Sequence, residues 1–396
     1  MAKKDLRYKR LLIAPAVAAL FLSACTNAAQ SPKQESVNDQ ALSKHADDGR
    51  DVIGLSMPSQ YLERWNRDGQ NLKSMFEEMG YEVDLQFAGN MIDTQIDIID
   101  EMIDNGVDIL VIGAVDGMSL TKVIERAYNA GIPVVAYDRL IRNSEYVSAY
   151  VSFDNYQVGR LQGEYVVEAL DLENAGKKTY NIEFTAGDSV DNNARYFFDG
   201  AMDVLSPYID SGNLNVPSGQ KDFYSASTPQ WSTESAHTRF EILIGSYYSG
   251  GNILDAVVCS NDSTSIGVQD AIANNYLEKN DVIITGQDCD EENLKRLMNG
   301  SQSMDVYKNL SYEAFVTVKL VDSLYHGQEM SQELVDGWNL GYACTYDTKT
   351  YDNGKIVVPS FLLEPIAITK ENAIEELVDN YGTYVIADDG SLKVAE

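Results

Sequence analysis

Asp108-Ile109-Leu110-Val111-Ile112-Gly113-Ala114 and, one amphipathic segment later, Pro133-Val134-Val135-Ala136-Tyr137 decide the fold of this chain. Both runs are nearly continuously apolar and rich in β-branched residues, as in strands of a parallel sheet covered on both faces. Between them, residues 120–130 carry apolar positions at helical spacing and end at Gly131, where a left-handed helix cap favours glycine. The unit is β-α-β, and it extends in both directions. Upstream the pattern gives a strand over 52–57, a helix over 65–79, a strand over 82–88 and a helix over 94–105, with Gly80 and Gly106 just past the helix ends. Repeated βαβ units make a doubly wound sheet.

Downstream the series begins again. A strand over 149–152 leads to a helix over 156–169, a strand over 180–185 and a helix over 194–208. Further units are a strand over 256–259, a helix over 264–274, a strand over 282–285, a helix over 292–299 and a strand over 303–306. A long helix over 312–325 precedes an irregular stretch, 328–354. Two sheets of this size suit two lobes better than one very wide sheet. The expected class is α/β, with two Rossmann-like doubly wound parallel-sheet lobes.

The first 25 residues carry an address. Lys3, Lys4, Arg7, Lys9 and Arg10 precede the apolar run 11–22, and Leu22-Ser23-Ala24-Cys25 completes a lipobox. The run is too short to span a bilayer, so 1–24 is expected to be a cleaved lipoprotein signal, with Cys25 as the lipidated N-terminus. Residues 25–48 are polar and aperiodic, a flexible tether. The expected location is extracytoplasmic, anchored to the membrane through the N-terminal lipid.

The chain has 396 residues and a net charge of −31 from 61 acidic and 30 basic residues. Without the signal, 60 acids against 25 bases leave a charge near −35. Nucleic acid is excluded as a partner, because phosphate affinity rests on Lys and Arg; the charge describes a solvated surface. Beyond Cys25 stand Cys259, Cys289 and Cys344. Cys259 and Cys289 lie one strand–helix unit apart, so either a bridge between neighbouring strands or buried free thiols fits.

In open α/β sheets, ligands bind beyond the carboxyl ends of the strands. Those ends are polar throughout this chain: Arg64 and Trp65 near the first strand, Asp116, then Asp138-Arg139. In the second half they are Asp191 to Asn193 with Arg195, Asn261-Asp262, Asp288 and Lys308. Singly, each has a structural explanation, Asp262 and Asn192 as helix caps for example. Five strand ends together point to a ligand with vicinal hydroxyls, which needs carboxylates to accept and Arg, Lys or Asn to donate. Trp65 and Trp231, one from each half, supply flat walls for a sugar ring. Nucleotide-binding and serine-hydrolase motifs are absent, and His45, His237 and His326 form no metal or triad pattern. No cofactor and no metal are expected.

Several strings in this order resemble the multiple-sugar and xylose solute-binding proteins of bacterial ABC transporters. They are Glu63-Arg64-Trp65, Ala136-Tyr137-Asp138-Arg139-Leu140-Ile141-Arg142-Asn143 and Phe153-Asp154-Asn155-Tyr156-Gln157-Val158-Gly159. Val190-Asp191-Asn192-Asn193-Ala194, Ser260-Asn261-Asp262, Gly286-Gln287-Asp288 and Val306-Tyr307-Lys308 follow. Tyr351-Asp352-Asn353-Gly354 and Val358-Pro359-Ser360-Phe361-Leu362-Leu363 complete the likeness, which runs from Asp51 to Val378.

The resemblance implies a type I periplasmic-binding-protein fold with a three-strand hinge. One lobe is expected from 49–152 and 309–346, the other from 153–308 and 347–396, with crossings near 152–154, 308–309 and 346–349. It implies sugar contacts at Arg64, Asp116, Asp138, Arg139, Asp191, Asn193, Asn261 or Asp262, Asp288 and Lys308, with Trp65 and Trp231 as walls. Arg195 stands where multiple-sugar binders often have an aromatic, and resembles the glucose/galactose binders instead. The expected function is a monomeric, lipid-anchored receptor, not an enzyme, that passes a monosaccharide of glucose, galactose or xylose type to an ABC permease. A sensor that presents bound sugar to a receptor kinase, and a secreted carbohydrate-active enzyme, are the alternatives.

Overall fold

The computed structural model describes residues 51–61, 63–278 and 280–395. The signal, Cys25 and the tether lie outside the described residues. Seven strands form the first sheet: β1 (Val52–Met57), β2 (Glu82–Phe87), β3 (Ile109–Ile112), β4 (Val134–Tyr137), β5 (Ala149–Phe153), β11 (Cys344–Asp347) and β12 (Ser360–Leu363). Their order is β11-β12-β5-β4-β3-β1-β2, parallel except for the β11–β12 pair. Every residue of β3, β4 and β5 is buried, which is why those runs read as unbroken apolar strings. The helices Glu63–Glu78 and Leu310–Tyr325 cover one face, and Ile92–Asn105 with Thr121–Ala130 the other.

The second sheet runs β7 (Leu214–Asn215), β6 (Tyr180–Thr185), β8 (Ala256–Cys259) and β9 (Ile283–Ile284), all parallel. Beside it, β10 (Asp305–Tyr307) pairs antiparallel with β13 (Ile366–Ile368). A small hairpin of β14 (Tyr384–Ile386) and β15 (Leu392–Val394) ends the described chain. In each sheet the strand order reverses at one point, next to β1 and β3 in the first and β6 and β8 in the second. Such switch points open a crevice at the strands' carboxyl ends.

The chain crosses between the sheets three times. It leaves β5 for the helix Asn155–Ala169, and it returns after β10 through Lys308 and Asn309 into Leu310–Tyr325, where Asn309 caps the helix. The third crossing differs from the expected 346–349. β12 lies parallel against β5, with Ser360 opposite Tyr150 and Leu363 opposite Phe153. Residues up to Leu363 therefore belong to the first sheet, and the chain changes lobes at Glu364-Pro365 before β13. The cause is burial: all four residues of β12 are buried, and the open edge of β5 is where their backbone groups find partners. Phe361 of β12 stacks on Trp338, and β11 pairs along the outer side of β12.

A close helix pair sets the second lobe beside the hinge. Asn155–Ala169 and Asn192–Ser211 meet at Gly159 and Gly200, where a Cβ would lie 1.9 Å from the Phe197 carbonyl and 2.1 Å from that of Tyr156. This contact fixes the start of Asn192–Ser211 against the cleft. Cys259, Cys289 and Cys344 are free and buried, so Cys259 and Cys289 form no bridge. Among the described residues no helix is long and apolar enough to cross a membrane. Gly200→Ala is expected to cost at least about 1–3 kcal/mol, because backbone rather than a flexible side chain must move; urea unfolding of variant and parent measures it.

Candidate functional site

The carboxyl ends of both sheets converge on one charged cluster, and Asp138 stands at its centre. β4 ends at Tyr137, and Asp138 then turns with φ 57°, a conformation that residues with a Cβ adopt rarely. The surroundings hold it there. Its amide donates to the Val151 carbonyl at 2.8 Å. Its own carbonyl accepts from Tyr150 Oη at 2.7 Å, Ser152 Oγ at 3.2 Å and Asn193 Nδ2 at 2.8 Å. Asn193 belongs to the second lobe, so this backbone oxygen is bonded from both sides of the cleft. The carboxylate is thereby aimed at Arg64, whose Nη2 donates to it at 2.6 Å.

From the second lobe, Asp288 also has positive φ, 102°, and its carboxylate lies 2.9 Å from Lys308 Nζ. Lys308 is 4% exposed, with Phe153 and Phe197 rings 5.9 and 5.7 Å from its ammonium. Strained backbone at both acids marks positions where orientation outweighs local comfort. Arg139 Nη1 donates to the Ala114 carbonyl at 3.1 Å, while its Nε lies 3.3 Å from Asp191 Oδ2 across the cleft. Asp191 also caps Asn192–Ser211 through the Asn193 amide.

The two tryptophans bracket this last pair. Trp65 is 3% exposed, set against Tyr137, with the Arg64 and Arg139 guanidinium carbons 5.0 and 5.2 Å from its ring centre. Trp231, half-buried, lies flat over Gly187, where a Cβ would come within 1.9 Å of the indole, and its side chain hydrogen-bonds Asp191. Only glycine admits that contact.

Burial pushes the Asp138 and Asp288 carboxyls upward, but nearby cations outweigh it and hold both below the usual range. Arg64, Lys308 and Arg139 act on Asp138, and Lys308 and Arg64 on Asp288. At Asp191 burial prevails over Arg139 and the carboxyl is raised. Three cations and three carboxylates thus alternate along the cleft, presenting donors and acceptors with little net charge.

Three expected contacts lie elsewhere. Arg195 is half-exposed, pairs with Asp199 at 2.6 Å one helical turn on and covers Phe223. Its position on the outward face of Asn192–Ser211 turns it away from the cluster. Asp262 is fully buried beneath β8: its Oδ2 accepts from the Asp290 amide and its Oδ1 from Gln302. Asp116 spends both carboxylate oxygens on its own turn, accepting from the Met118 amide and Ser119 Oγ. Asn261 caps the helix Asp262–Asn275 and holds Ser263, which in turn bonds the Trp231 carbonyl. Two acids the sequence reading passed over, Asp68 and Glu313, lie under Arg64 at 3.5 and 3.7 Å. The signal for Asp68 was its i,i+4 spacing from Arg64; for Glu313 it was an acid in the first turn of a largely apolar helix. Among the described residues no group of His, Cys, Asp and Glu could hold a metal ion.

Residues 53–329 match the family model described as a periplasmic binding protein domain. A multiple sugar-binding periplasmic protein of Azospirillum brasilense is 41% identical over 83% of this chain and 88% of its own length. A multiple sugar-binding periplasmic receptor of Rhizobium radiobacter is 40% identical over 85% of this chain and 91% of its own. Among solved structures, an ABC transporter solute-binding protein from Clostridium phytofermentans with bound β-D-glucose is similar. It has a TM-score of 0.78 at 45% identity and covers 86% of this chain and 99% of that one.

Asp288→Asn is expected to cost about 3 kcal/mol at pH 7, because it leaves the Lys308 ammonium buried without its partner. The stability that Asp138 and Asp288 contribute is present above the unfolded carboxylate range and is lost as pH falls through their lower folded values. Urea melts from pH 7 down to pH 2 should therefore show the gap between parent and Asp288→Asn closing at the acid end.

Proposed function

Since this chain belongs to the periplasmic binding protein family, with that family's type I fold, we propose that it is an extracytoplasmic receptor for a neutral monosaccharide of glucose, galactose or xylose type. The family's members are receptors, and the chain is a binding protein rather than an enzyme. The observation that carries the ligand class is the balanced alternation of Arg64, Asp138, Arg139, Asp191, Asp288 and Lys308 at the ends of strands from both lobes. An anionic ligand would meet three carboxylates, and an apolar one would strand six charges. Vicinal hydroxyls can accept from each cation and donate to each anion in turn. The glucose bound to the Clostridium protein supports this class.

The mechanism is hinge closure. Each lobe supplies half of the polar groups, so only the closed arrangement engages all of them, and the sugar shifts the balance toward it. The three crossings, after Phe153, at Lys308-Asn309 and at Glu364-Pro365, are the segments on which the lobes turn. The closed lobe pair then presents its surface to an ABC permease, which takes the sugar. Lipid on Cys25 keeps the receptor at the membrane through the 25–48 tether.

Calorimetric titration against pentoses, hexoses and uronic acids tests this reading: one-to-one binding of a few related neutral monosaccharides is expected. Silence across the panel from a folded protein overturns it. Asp138→Ala should weaken that binding about 100-fold, the loss of one or two charge-assisted hydrogen bonds. For the anchor, Cys25→Ser expressed in a lipoprotein-processing bacterium should leave the protein free of diacylglycerol by mass spectrometry and release it from the membrane fraction. Retention there would remove Cys25 as the anchor.

A further inference from the structure

The three hinge crossings meet around a cavity of about 410 Å³, to which they contribute Phe153, Asn309 and Glu364. Tyr312 and Tyr342 of the first lobe and Tyr307 and Tyr381 of the second supply its walls, with Glu376 beside Tyr381. None of the six alternating charges of the cleft lines it. It is a separate space.

The walls are rings set at different angles. Tyr312 and Tyr342 lie face to face, with ring centres 3.6 Å apart and planes 6° from parallel. Rings so closely superposed bring like quadrupoles together, an arrangement that aromatic pairs usually avoid by sliding or turning. The negative potential of both faces therefore adds at the outside of the stack. Tyr381 stands nearly upright to Tyr312, 5.7 Å away at 72°, and Tyr307 is 5.7 Å from Tyr381. Tyr307 Oη donates to Thr383 Oγ1 at 2.6 Å, and Tyr342 Oη to the Tyr312 carbonyl at 3.2 Å. Those two residues thus offer the cavity ring surface rather than a free hydroxyl.

Charge here is one-sided. Glu364 and Glu376 line the cavity, and no lysine or arginine among the described residues does so. Glu376 accepts from Asn380 Nδ2 at 3.1 Å, and neither carboxylate has an ion pair among the described residues. Both act on the Tyr381 hydroxyl, so both stand near that ring. The cleft alternates its signs and suits a neutral ligand; this cavity sets two negative charges among ring faces. An anion would be repelled, and a neutral ring would leave the carboxylates uncompensated. A bare metal ion needs grouped His, Cys, Asp or Glu ligands, and the described residues hold no such group. A cation with apolar surface meets both demands, its charge facing the carboxylates and ring faces while its carbon groups lie against the rings.

The geometry points to this cavity as a second binding site, for a small organic ammonium ion held among Tyr312, Tyr342 and Tyr381 with Glu364 and Glu376 as counter-ions. The site uses no group of the cleft, so this inference and the monosaccharide reading stand or fall separately.

The test is an NMR titration of tetramethylammonium chloride with the full mature protein, following the methyl protons of the probe, beside potassium chloride at equal ionic strength. Saturable one-to-one binding with a Kd of about 1 mM or tighter is expected. The bound methyl resonance should move upfield, because ring currents shield a group lying over aromatic faces. Glu376→Gln, which keeps the shape, and Tyr381→Leu, which removes one wall, should each weaken binding about fivefold.

The absence of a saturable shift in wild type overturns the inference. Equal displacement by potassium does so too, because it makes the carboxylates an unselective counter-ion site only. Wild-type affinity in both variants places the ion elsewhere and overturns it as well. Glu376 is partly exposed, so the wild-type titration and Glu376→Gln keep the test decisive even if Tyr381→Leu fails to fold.

Discussion

The carbonyl oxygen of Asp138 is the point on which the cleft is organised. Tyr150 and Ser152 from the hinge strand β5 and Asn193 from the opposite lobe all donate to it. Those three bonds stabilise a backbone turn that would otherwise cost of order 1–3 kcal/mol. They do so with groups from both sides of the hinge. The turned backbone places the carboxylate against Arg64, and Arg64 in turn sits over Asp68, Glu313 and Trp65. One backbone atom therefore ties the first sheet, the hinge and the second lobe to the same charged cluster.

Buried ion pairs are weak evidence of stability, because desolvation offsets most of their attraction. A fold that only needed to be stable could have filled this space with apolar side chains. Here Lys308 and Asp138 are held out of water, their partners Asp288 and Arg64 are largely buried, and both acids sit in strained backbone. Their use is polarity prepared in advance, so that a hydroxylated ring replaces water without rearranging the site. The apolar layers beneath, continuous through β3, β4 and β5, hold these charges at fixed spacing.

The parts of the fold readable from sequence were those in which one periodicity had no competitor. The strands at Val52–Met57, Tyr180–Thr185 and Ala256–Cys259 fall where their apolar runs lie, since buried parallel strands need little besides such a run. The strands β11 to β15 went unread. Each is short or lies at a sheet edge, where pairing with a distant partner decides conformation more than local pattern does. The third crossing was displaced for the same reason: nothing between 346 and 363 announces that Ser360–Leu363 will seek the edge of β5, two hundred residues earlier. At the site, Asp262 and Arg195 show the same limit. Both belong to polar strings beside strand ends, yet one turns into the interior and the other out to solvent.

Sequence alone thus determined the α/β class, the doubling of the sheet and the strand ends at which a ligand would lie. Apolar periodicity and the residues flanking it are local properties of a chain. It also specified the chemistry present there, because acids, bases and tryptophans are read directly from the residues. Tertiary structure alone decided which of those groups meet. That Asp138 faces Arg64, that Arg139 reaches Asp191, and that Asp68 and Glu313 lie beneath both, depends on the packing of helices far apart in the chain. Contacts at long sequence separation are fixed by the shape of the assembled core and carry no local pattern by which they could be foreseen.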